Sequence, residues 1–251
     1  MPDSENLKPE TAASAPRTAF VLGAGLGTRL RPLTDELPKP MLPVGGRPMI
    51  ESCFERLRRV GVRRILVNTH WKPEAYARAY PDHRWRDVEL VFVHEPVLLE
   101  TGGGLKNIEP LLGPDDHHLW VYNGDIFAEP DLEKLWREHA ASGSESTLLL
   151  RETGNVKVDT TGAVLDLRGR LGVTAGESRQ FSGISLVRRD FFRHLRAGVI
   201  ESLVEGWLRA IQERPGSVRG VTDNAFAWAD LGTLAEYEAI RRRSGEVSGW
   251  F

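Results

Sequence analysis

A glycine-rich turn and two cations follow the first apolar segment of the chain. Residues 18–22 read TAFVL, a short run typical of a buried strand, and residues 23–29 read GAGLGTR. Glycines allow the backbone to turn sharply, and the amides that such a turn leaves unpaired point at anions. Arg29 can donate two hydrogen bonds to phosphate oxygens, and Lys39, between two prolines, supplies a point charge on a stiff loop. The pattern predicts a nucleoside triphosphate site, with the candidate binding residues Gly23, Ala24, Gly25, Gly27 and Thr28.

Two other phosphate-binding motifs fit this turn less well. The dinucleotide fingerprint GxGxxG requires a glycine where Thr28 stands and a helix that begins there, whereas prolines at 32, 38, 40 and 43 exclude a continuous helix. A Walker loop requires Gly-Lys-Ser/Thr, which residues 27–29 (GTR) lack. A glycine turn with unconnected surface cations is the remaining alternative, and we disfavour it because long glycine and proline loops in compact domains are usually functional.

Two aspartates follow apolar runs elsewhere in the chain. Asp125 comes after the run at 119–122, and Asp230 ends the run that begins at Phe226. Chemistry on a triphosphate commonly requires Mg²⁺, which prefers hard oxygen ligands and keeps open positions for substrate. Each aspartate alone could equally cap a helix or a turn, so the residue pattern leaves both roles open.

The alternation of apolar patterns predicts the elements that position these residues. Segments 18–22, 65–68, 90–93, 119–122 and 146–150 are extended, and segments 49–60, 72–80, 103–112 and the one that Asp131 opens as N-cap are helical. This order is typical of an α/β fold with a mostly parallel central sheet flanked by helices. Ligands of such sheets bind at the carboxyl ends of strands, where the glycine turn and residues 100–104 and 123–125 fall.

The second half of the chain has shorter extended runs. Those at 156–159, 163–167 and 182–187 predict a small mixed β lobe over the sheet edge, and helices at 190–196, 199–214 and 233–243 and strands near Val218 and Phe226 complete the pattern. We predict a disordered leader at 1–17, a single domain at 18–243 with halves at 18–150 and 151–243, and a C-terminal tail at 244–251.

The composition is that of an ordinary globular protein, with 41% hydrophobic and 27% charged residues among 251. A formal net charge of −2 argues against nucleic acid or an anionic membrane as a partner. No run is long enough to span a membrane, and the first residues lack the apolar core of a secretory signal. The single cysteine, Cys53, excludes an intramolecular disulfide and is expected to be a buried small hydrophobe, so we expect a cytoplasmic protein.

Residues 23–34 (GAGLGTRLRPLT), the PKP at 38–40 and the VGGRP at 44–48 closely resemble the sugar-1-phosphate nucleotidyltransferase family, the NDP-sugar pyrophosphorylases. The resemblance spans residues 18–243 and implies a Rossmann-like nucleotidyltransferase fold, with nucleotide bound by the first half and sugar by the second. It implies the reaction of a nucleoside triphosphate with a sugar 1-phosphate, giving an NDP-sugar and pyrophosphate. Arg29 and Lys39 would be the catalytic cations that neutralise the triphosphate.

The resemblance also assigns the two aspartates. Residues 121–125 (VYNGD) resemble the strand-G-D element of the family, and residues 227–233 (AWADLGT) resemble its A-W-x-D-x-G-T element. Asp125 and Asp230 are therefore expected to hold Mg²⁺ jointly. Catalysis would then consist mainly of positioning and electrostatic stabilisation of an in-line displacement, with no covalent enzyme intermediate.

A second glycine turn, LETGGG at 99–104, opens a helix whose unpaired amides could read the edge of a base. A plain N-cap by Thr101 is the alternative. With the upstream Glu95, this turn most resembles that of N-acetylmuramate-1-phosphate uridylyltransferase-like enzymes, which favours UTP; GTP-using mannose and heptose enzymes have similar loops. The candidate nucleotide contacts here are Glu95, Thr101 and Gly102.

Recognition of the sugar is the least specified part of the site. The resemblance makes Asn123, Gly154, Asn155 and Gly183 the candidate sugar-binding residues. The E-K-P motif that frequently follows in the family is absent, and residues 167–170 read LRGR instead, so the sugar is not identified. Alternatives to UTP-dependent transfer are a GTP-dependent mannose or heptose enzyme, a cytidylyltransferase acting on a phospho-alcohol, and a non-catalytic NDP-sugar-sensing subunit. We expect only small-molecule substrates as ligands, in a monomer or a homo-oligomer.

Overall fold

One mixed sheet of nine strands organises the computed structural model, which describes residues 15–244. The strands are β1 Thr18–Leu22, β2 Pro43–Val44, β3 Arg47–Pro48, β4 Arg64–Thr69, β5 Arg84–Trp85, β6 Val88–His94, β7 His118–Asn123, β8 Ile126–Ala128, β9 Ser146–Val158, β10 Val164–Leu167, β11 Glu177–Arg188, β12 Val218–Thr222 and β13 Trp228–Asp230. The sheet runs in the order β10-β9-β11-β7-β1-β4-β6-β5, with β12 paired to β9. The pairs β2–β3 and β8–β13 form two small separate sheets.

Helices cover both faces of this sheet. The α-helices are α1 Leu33–Glu36, α2 Glu51–Arg59, α3 Glu74–Ala79, α4 Glu100–Asn107, α5 Leu132–Ser142, α6 Leu203–Glu213 and α7 Leu234–Ser244, and short 3₁₀ helices occupy Thr28–Leu30, Lys39–Met41, Glu109–Leu111 and Arg189–His194. One hydrophobic core lies between the sheet and α2, α3 and α5, and a second lies between the sheet and α4 and α6. Cys53, on α2, is 1% exposed in the first core, which confirms its predicted packing role.

The four central strands β7, β1, β4 and β6 are parallel, as the alternating pattern predicts. The apolar side chains of β1, β4 and β7 are mostly buried on both sides, which is typical of a parallel sheet covered by helices. Val21 in β1 pairs with Val67 on one side and Tyr122 on the other, so the carboxyl ends of the three strands lie at one edge. That edge is the place where the sequence predicts a ligand.

The predicted strands at 146–150 and 156–159 are parts of a single strand, β9. The segment between them is polar and lacks an alternating pattern, yet it pairs with β11 through Arg151 opposite Gln180 and Glu152 opposite Arg179. The mixed β region predicted for the second half is therefore an antiparallel extension of the main sheet, because β9 and β10 both join it through β11. Hydrogen bonds between β9 and β11 therefore hold in a strand the residues that the local sequence predicts to be a turn.

Several predicted helix boundaries need correction. The helix predicted at 199–214 begins at Leu203, because Ser202 caps it and residues 199–201 pack against α4 instead. The segment at 190–196 forms a 3₁₀ helix, and the helix predicted at 103–112 spans Glu100–Asn107 before a 3₁₀ turn that contains Pro110. The predicted N-cap is confirmed, since Asp131 Oδ1 accepts a hydrogen bond from the Lys134 amide at 2.8 Å.

Both predicted termini lie mainly outside the described residues. Of the leader at 1–17, the structure describes 15–17, where the Arg17 carbonyl accepts hydrogen bonds from the Arg63 and Arg64 amides. Of the tail at 244–251, it describes only Ser244, the last residue of α7. Within residues 15–244, no helix is both long enough and apolar enough to cross a bilayer.

A histidine pair, of which His139 is buried and His118 is half-buried, lies between α5 and the sheet. His118 Nδ1 lies 3.0 Å from His139 Nε2, and His139 Nδ1 lies 2.7 Å from the hydroxyl oxygen of Thr147. His139 is 1% exposed. Burial, and to a lesser extent the neighbouring His118, lowers the pKa of His139 to about 3.

We expect His139 to make the folded state sensitive to acid. The unfolded chain binds a proton at this residue near pH 6.5 and the folded chain only near pH 3, so its contribution to stability is complete above pH 6.5 and is lost as the pH falls. At pH 5 the loss is about 2 kcal/mol, since each pH unit is worth about 1.4 kcal/mol. Urea unfolding at pH 7 and pH 5 should show that His139→Gln removes about this much of the pH dependence. An unchanged difference between the two pH values would contradict the assignment.

Candidate active site

Two adjoining pockets open at the carboxyl ends of β1, β4 and β7. The first is lined by Leu22, Ala24, Gly25, Lys39, Pro40, Asn68, Leu98, Glu100, Thr101, Asn123 and Asp125. The second is lined by Gly25, Leu26, Gly27, Thr28, Arg29, Leu30, Lys39, Leu98, Asp125 and Gly232. Because they share Gly25, Lys39, Leu98 and Asp125, the two pockets form one cleft, and the glycine turn runs along it.

The glycine turn is fixed through its carbonyls and leaves most of its amides free. Gly27 has a left-handed backbone, and a Cβ there would lie 2.8 Å from Thr34 Cγ2 and 3.0 Å from Lys39 Cβ, so only glycine fits. The Thr34 hydroxyl donates to the Gly27 carbonyl at 2.9 Å. The amides of residues 24–29 donate to no acceptor within residues 15–244. They are therefore available to an anion, as predicted for Ala24, Gly25, Gly27 and Thr28.

Gly23 differs from the rest of the turn, and the expectation of a free amide there is wrong. Its amide donates to Asn68 Oδ1 at 2.8 Å, and its carbonyl accepts from the Tyr76 hydroxyl at 3.0 Å. A Cβ at Gly23 would lie 2.8 Å from the Asn68 carbonyl oxygen. Gly23 therefore anchors the base of the turn to β4 and α3.

Lys39 joins the two predicted metal-binding aspartates. Its side chain is 9% exposed, and Nζ lies 2.6 Å from Asp125 Oδ2 and 3.6 Å from Asp230 Oδ1. Asp125 stands between β7 and β8, and Asp230 ends β13, where it pairs with Ile126 of β8. The small β8–β13 sheet thus brings together two aspartates that are more than a hundred residues apart in sequence. A buried ammonium requires such partners, because burying an unpaired charge is costly.

The electrostatics of the aspartate pair favour a further cation. Burial and the negative charge of Asp125 raise the pKa of Asp230, while Lys39 and Arg29 act in the opposite direction. Mg²⁺ in proteins is often held by one or two carboxylates, with substrate phosphates and water completing its coordination. Residues 15–244 contain no cluster of three or more His, Cys, Asp or Glu side chains that could hold a metal. The donor set at Asp125 and Asp230 fits Mg²⁺, and the metal itself stays a prediction.

Arg29 lies at the open end of the cleft. It is exposed, in contrast to Lys39, and its guanidinium approaches the chain just after Asp230, where a Cβ on Gly232 would lie 3.1 Å from Arg29 Nη1. A side chain at 232 would therefore displace the guanidinium. The two predicted catalytic cations thus line the same pocket, one buried between carboxylates and one exposed to solvent.

The second glycine turn is part of α4, and the amides of its first two glycines, Gly102 and Gly103, are not free. The Gly102 and Gly103 amides both donate to the Glu201 carbonyl, at 2.8 and 3.0 Å, which corrects the expectation that they read a base. Thr101 is not the N-cap, because Leu99 holds that position and the Thr101 hydroxyl accepts from the Leu203 amide at 2.8 Å. Thr101 and its neighbour Glu100 still line the cleft, and their amides donate to no acceptor within residues 15–244, so a base would meet this end of α4 through these two residues.

Glu95 is buried rather than exposed to the cleft. It is 1% exposed, and its carboxylate accepts from Asn68 Nδ2 at 2.9 Å and from the Leu99 amide at 3.0 Å. This placement does not support the direct contact with a nucleotide that is predicted for Glu95. Glu95 instead holds the Leu99 amide, and so positions the segment that leads into α4.

The predicted sugar-binding residues divide into two groups. Asn123 lines the cleft. Gly183 packs beside it: its φ is +89°, and a Cβ there would lie 3.1 Å from Asn123 Nδ2. Gly154 and Asn155 line neither pocket and lie in the second half of β9, between β11 and β10. A Cβ at Gly154 would lie 2.6 Å from the Gln180 Cα, so the close approach of β11 explains that glycine.

Sequence reasoning missed Asn68 and Tyr76, which hold the base of the glycine turn. The signal for Asn68 is present in the sequence, because it is a polar residue at the end of a predicted buried strand, as Asn123 is. Tyr76 carries no comparable signal, since it reads as one more apolar residue of a helix. Its hydroxyl has a role only because α3 crosses the turn.

Comparisons with known proteins agree with this geometry. The family model described as nucleotidyl transferase matches residues 18–165, which include the glycine turn, Lys39 and Asp125. An N-acetylmuramate alpha-1-phosphate uridylyltransferase from Neisseria meningitidis is 31% identical over 90% of this chain and 98% of its own length. A mannose-1-phosphate guanylyltransferase from Mycobacterium tuberculosis is 35% identical over 55% of this chain and 38% of its own length.

A solved structure shows the same fold at low sequence identity. The UDP-glucose pyrophosphorylase from Acinetobacter baumannii matches with a TM-score of 0.74 at 17% identity, over 94% of this chain and 96% of its own. The family model, the full-length relative and the cleft with its paired cations and carboxylates lead to one assignment. The chain belongs to the nucleotidyl transferase family and is an enzyme of the sugar-1-phosphate nucleotidyltransferase class.

Proposed function

We propose that this enzyme transfers a nucleotidyl group from UTP to a sugar 1-phosphate, with Mg²⁺, and releases pyrophosphate. The observation that carries the proposal is the buried Lys39 ammonium between Asp125 and Asp230, beside a turn whose amides at 24–29 are free. This arrangement combines anion-binding amides with fixed charges of both signs within one cleft. Charges held in place before the reaction are the main means by which nucleotidyl transfer is accelerated.

In the proposed reaction, an oxygen of the sugar 1-phosphate attacks the α-phosphorus of the nucleotide while the bond to pyrophosphate breaks in line. The free amides of the turn and the exposed Arg29 hold the triphosphate, and Lys39 stabilises the charge that grows at the reacting phosphate. Asp125 and Asp230 would hold Mg²⁺, which supplies further charge neutralisation when bound. No side chain needs to form a covalent bond to the substrate.

Support for UTP comes from a relative that matches 90% of this chain and is a uridylyltransferase. The guanylyltransferase relative supports GTP over only about half of this chain, so we propose GTP-dependent transfer to mannose or heptose 1-phosphate as the alternative. A non-catalytic sensing role is disfavoured because the chain retains Arg29, Lys39 and both aspartates. Cytidylyl transfer to a phospho-alcohol has no specific observation in its favour.

A substrate matrix tests the proposal. Pyrophosphate release is measured with each of four nucleoside triphosphates against N-acetylmuramate, mannose, glucose and heptose 1-phosphates. We expect UTP to be used at least tenfold better than GTP, which corresponds to about 1.4 kcal/mol of discrimination. Equal use of UTP and GTP would contradict the uridylyl assignment, and no pyrophosphate release with any pair would contradict the proposed reaction.

Isosteric changes at the carboxylates test the metal assignment. We expect Asp125→Asn and Asp230→Asn each to abolish Mg²⁺-dependent turnover, because each removes a ligand charge, while thermal unfolding still shows a folded protein with a lower midpoint, since Lys39 loses a charged partner. Asp131→Asn is the matched control, since it makes the same chemical change at an exposed helix N-cap that asparagine also serves well. A near wild-type rate at millimolar Mg²⁺ in either active-site variant would show that the residue is not a ligand.

A further inference from the structure

A buried polar pair connects the two loops on either side of the cleft. Asn68 is 2% exposed near the end of β4, and Glu95 is 1% exposed directly after β6, the next strand in the sheet. The Glu95 amide donates to the Thr69 carbonyl at 2.8 Å, which extends the pairing of β4 and β6 to this position. The two side chains therefore meet at the edge of the sheet, below the cleft.

An unbroken series of hydrogen bonds passes through this pair. The Gly23 amide donates to Asn68 Oδ1 at 2.8 Å, Asn68 Nδ2 donates to Glu95 Oε1 at 2.9 Å, and the Leu99 amide donates to Glu95 Oε2 at 3.0 Å. One end of the series is the base of the glycine turn. The other end is the N-cap of α4, next to the two residues that face the cleft, Glu100 and Thr101.

The side-chain types are those that the series requires. Glu95 has a donor on each side, and only a carboxylate offers an acceptor oxygen to both. Within residues 15–244, no lysine, arginine or histidine forms an ion pair with this carboxylate. Burying a carboxyl group away from any cation is costly, and the hydrogen bonds from Asn68 and the Leu99 amide are what offset that cost here.

The surrounding packing leaves the pair little freedom. A Cβ at Gly104 in α4 would lie 2.9 Å from both Asn68 Nδ2 and Glu95 Oε1. The absence of a side chain at this position lets α4 lie directly on the pair. The distance between the glycine turn and the start of α4 is therefore set by two side chains rather than by flexible loop contacts.

We propose that Asn68 and Glu95 are a positioning pair, which fixes the spacing between the glycine turn and the N-terminal end of α4 so that one nucleotide contacts both. This inference rests on the proposed function, in which the turn binds the triphosphate and residues 100–101 lie near the base. A ligand that contacts two elements gains affinity only if their spacing matches its own length. A ligand that contacts the turn alone does not depend on that spacing.

Single isosteric variants break the series. Asn68→Asp removes the donor to Glu95 and places two carboxylates against each other, and Glu95→Gln turns an amide group towards one of the two donors. We expect each variant to bind UTP at least tenfold more weakly than the wild type in calorimetric titration without a sugar phosphate. Inorganic tripolyphosphate, which lacks a base, should bind to Glu95→Gln, which adds no negative charge to the cleft, within threefold of the wild type. In turnover, KM for UTP should rise while kcat at saturation changes by less than threefold.

The double variant Asn68→Asp/Glu95→Gln provides a rescue that a general structural role does not predict. The new glutamine would donate to the new aspartate, while the outer bonds to the Gly23 and Leu99 amides keep their acceptors. The series is restored with the central bond reversed and the number of carboxylates unchanged. We expect UTP affinity within threefold of the wild type.

Three results would overturn the proposal: single variants that bind UTP within threefold of the wild type, equal weakening for UTP and tripolyphosphate in Glu95→Gln, or no rescue in the double variant. Ser146→Ala is the control for loss of a buried hydrogen bond far from the cleft, because the Ser146 hydroxyl accepts from Trp207 between β9 and α6. It should lower the thermal midpoint and leave UTP affinity unchanged. Nucleotide binding is measured without a sugar phosphate, so this test does not depend on the transfer reaction. If the proposed reaction is wrong, the wild type will release no pyrophosphate, and that result is seen in a separate assay.

Discussion

The structure of the cleft depends on the burial of one ammonium group between two carboxylates. Lys39 Nζ is held by Asp125 and Asp230, and these three residues come from three separate parts of the chain. Removing one partner from a buried ion pair leaves an uncompensated charge and typically costs several kcal/mol. The contact therefore requires the 3₁₀ helix Lys39–Met41, the end of β7 and the β8–β13 pair to meet at one point.

A second constraint divides the loop amides into those that support the fold and those left for a ligand. Gly23, Gly102 and Gly103 donate to Asn68 or to the Glu201 carbonyl, whereas the amides at 24–29 have no acceptor within residues 15–244. Most residues of this run are exposed, so its amides can exchange water for an anion beside the buried cation. In the proposed function, the turn is therefore the triphosphate end of the cleft and the start of α4 is its base end.

The sequence predicts the sheet, the turn and the charged groups because each has a local signature. β1 is an apolar run, Gly27 must be glycine, and Asp125 and Asp230 follow apolar segments. The predictions that failed concern contacts between distant segments. Nothing near Gly102 indicates that the Glu201 carbonyl takes its amide, and nothing near Glu95 indicates that Asn68 and Leu99 bury its carboxylate. β9 was divided in two for the same reason, because its polar middle is ordered only by β11.

Steady-state kinetics of Lys39→Ala and Lys39→Arg test the central claim most directly. If Lys39 stabilises charge that grows during the reaction, the alanine variant should lose on the order of 10²–10³ in kcat, about 3–4 kcal/mol, with a much smaller change in nucleotide affinity. The arginine variant should recover only part of the rate, since its larger planar group does not fit the space between Asp125 and Asp230. A kcat within fivefold of the wild type in the alanine variant would show that Lys39 only supports the loop, and would contradict the proposed mechanism.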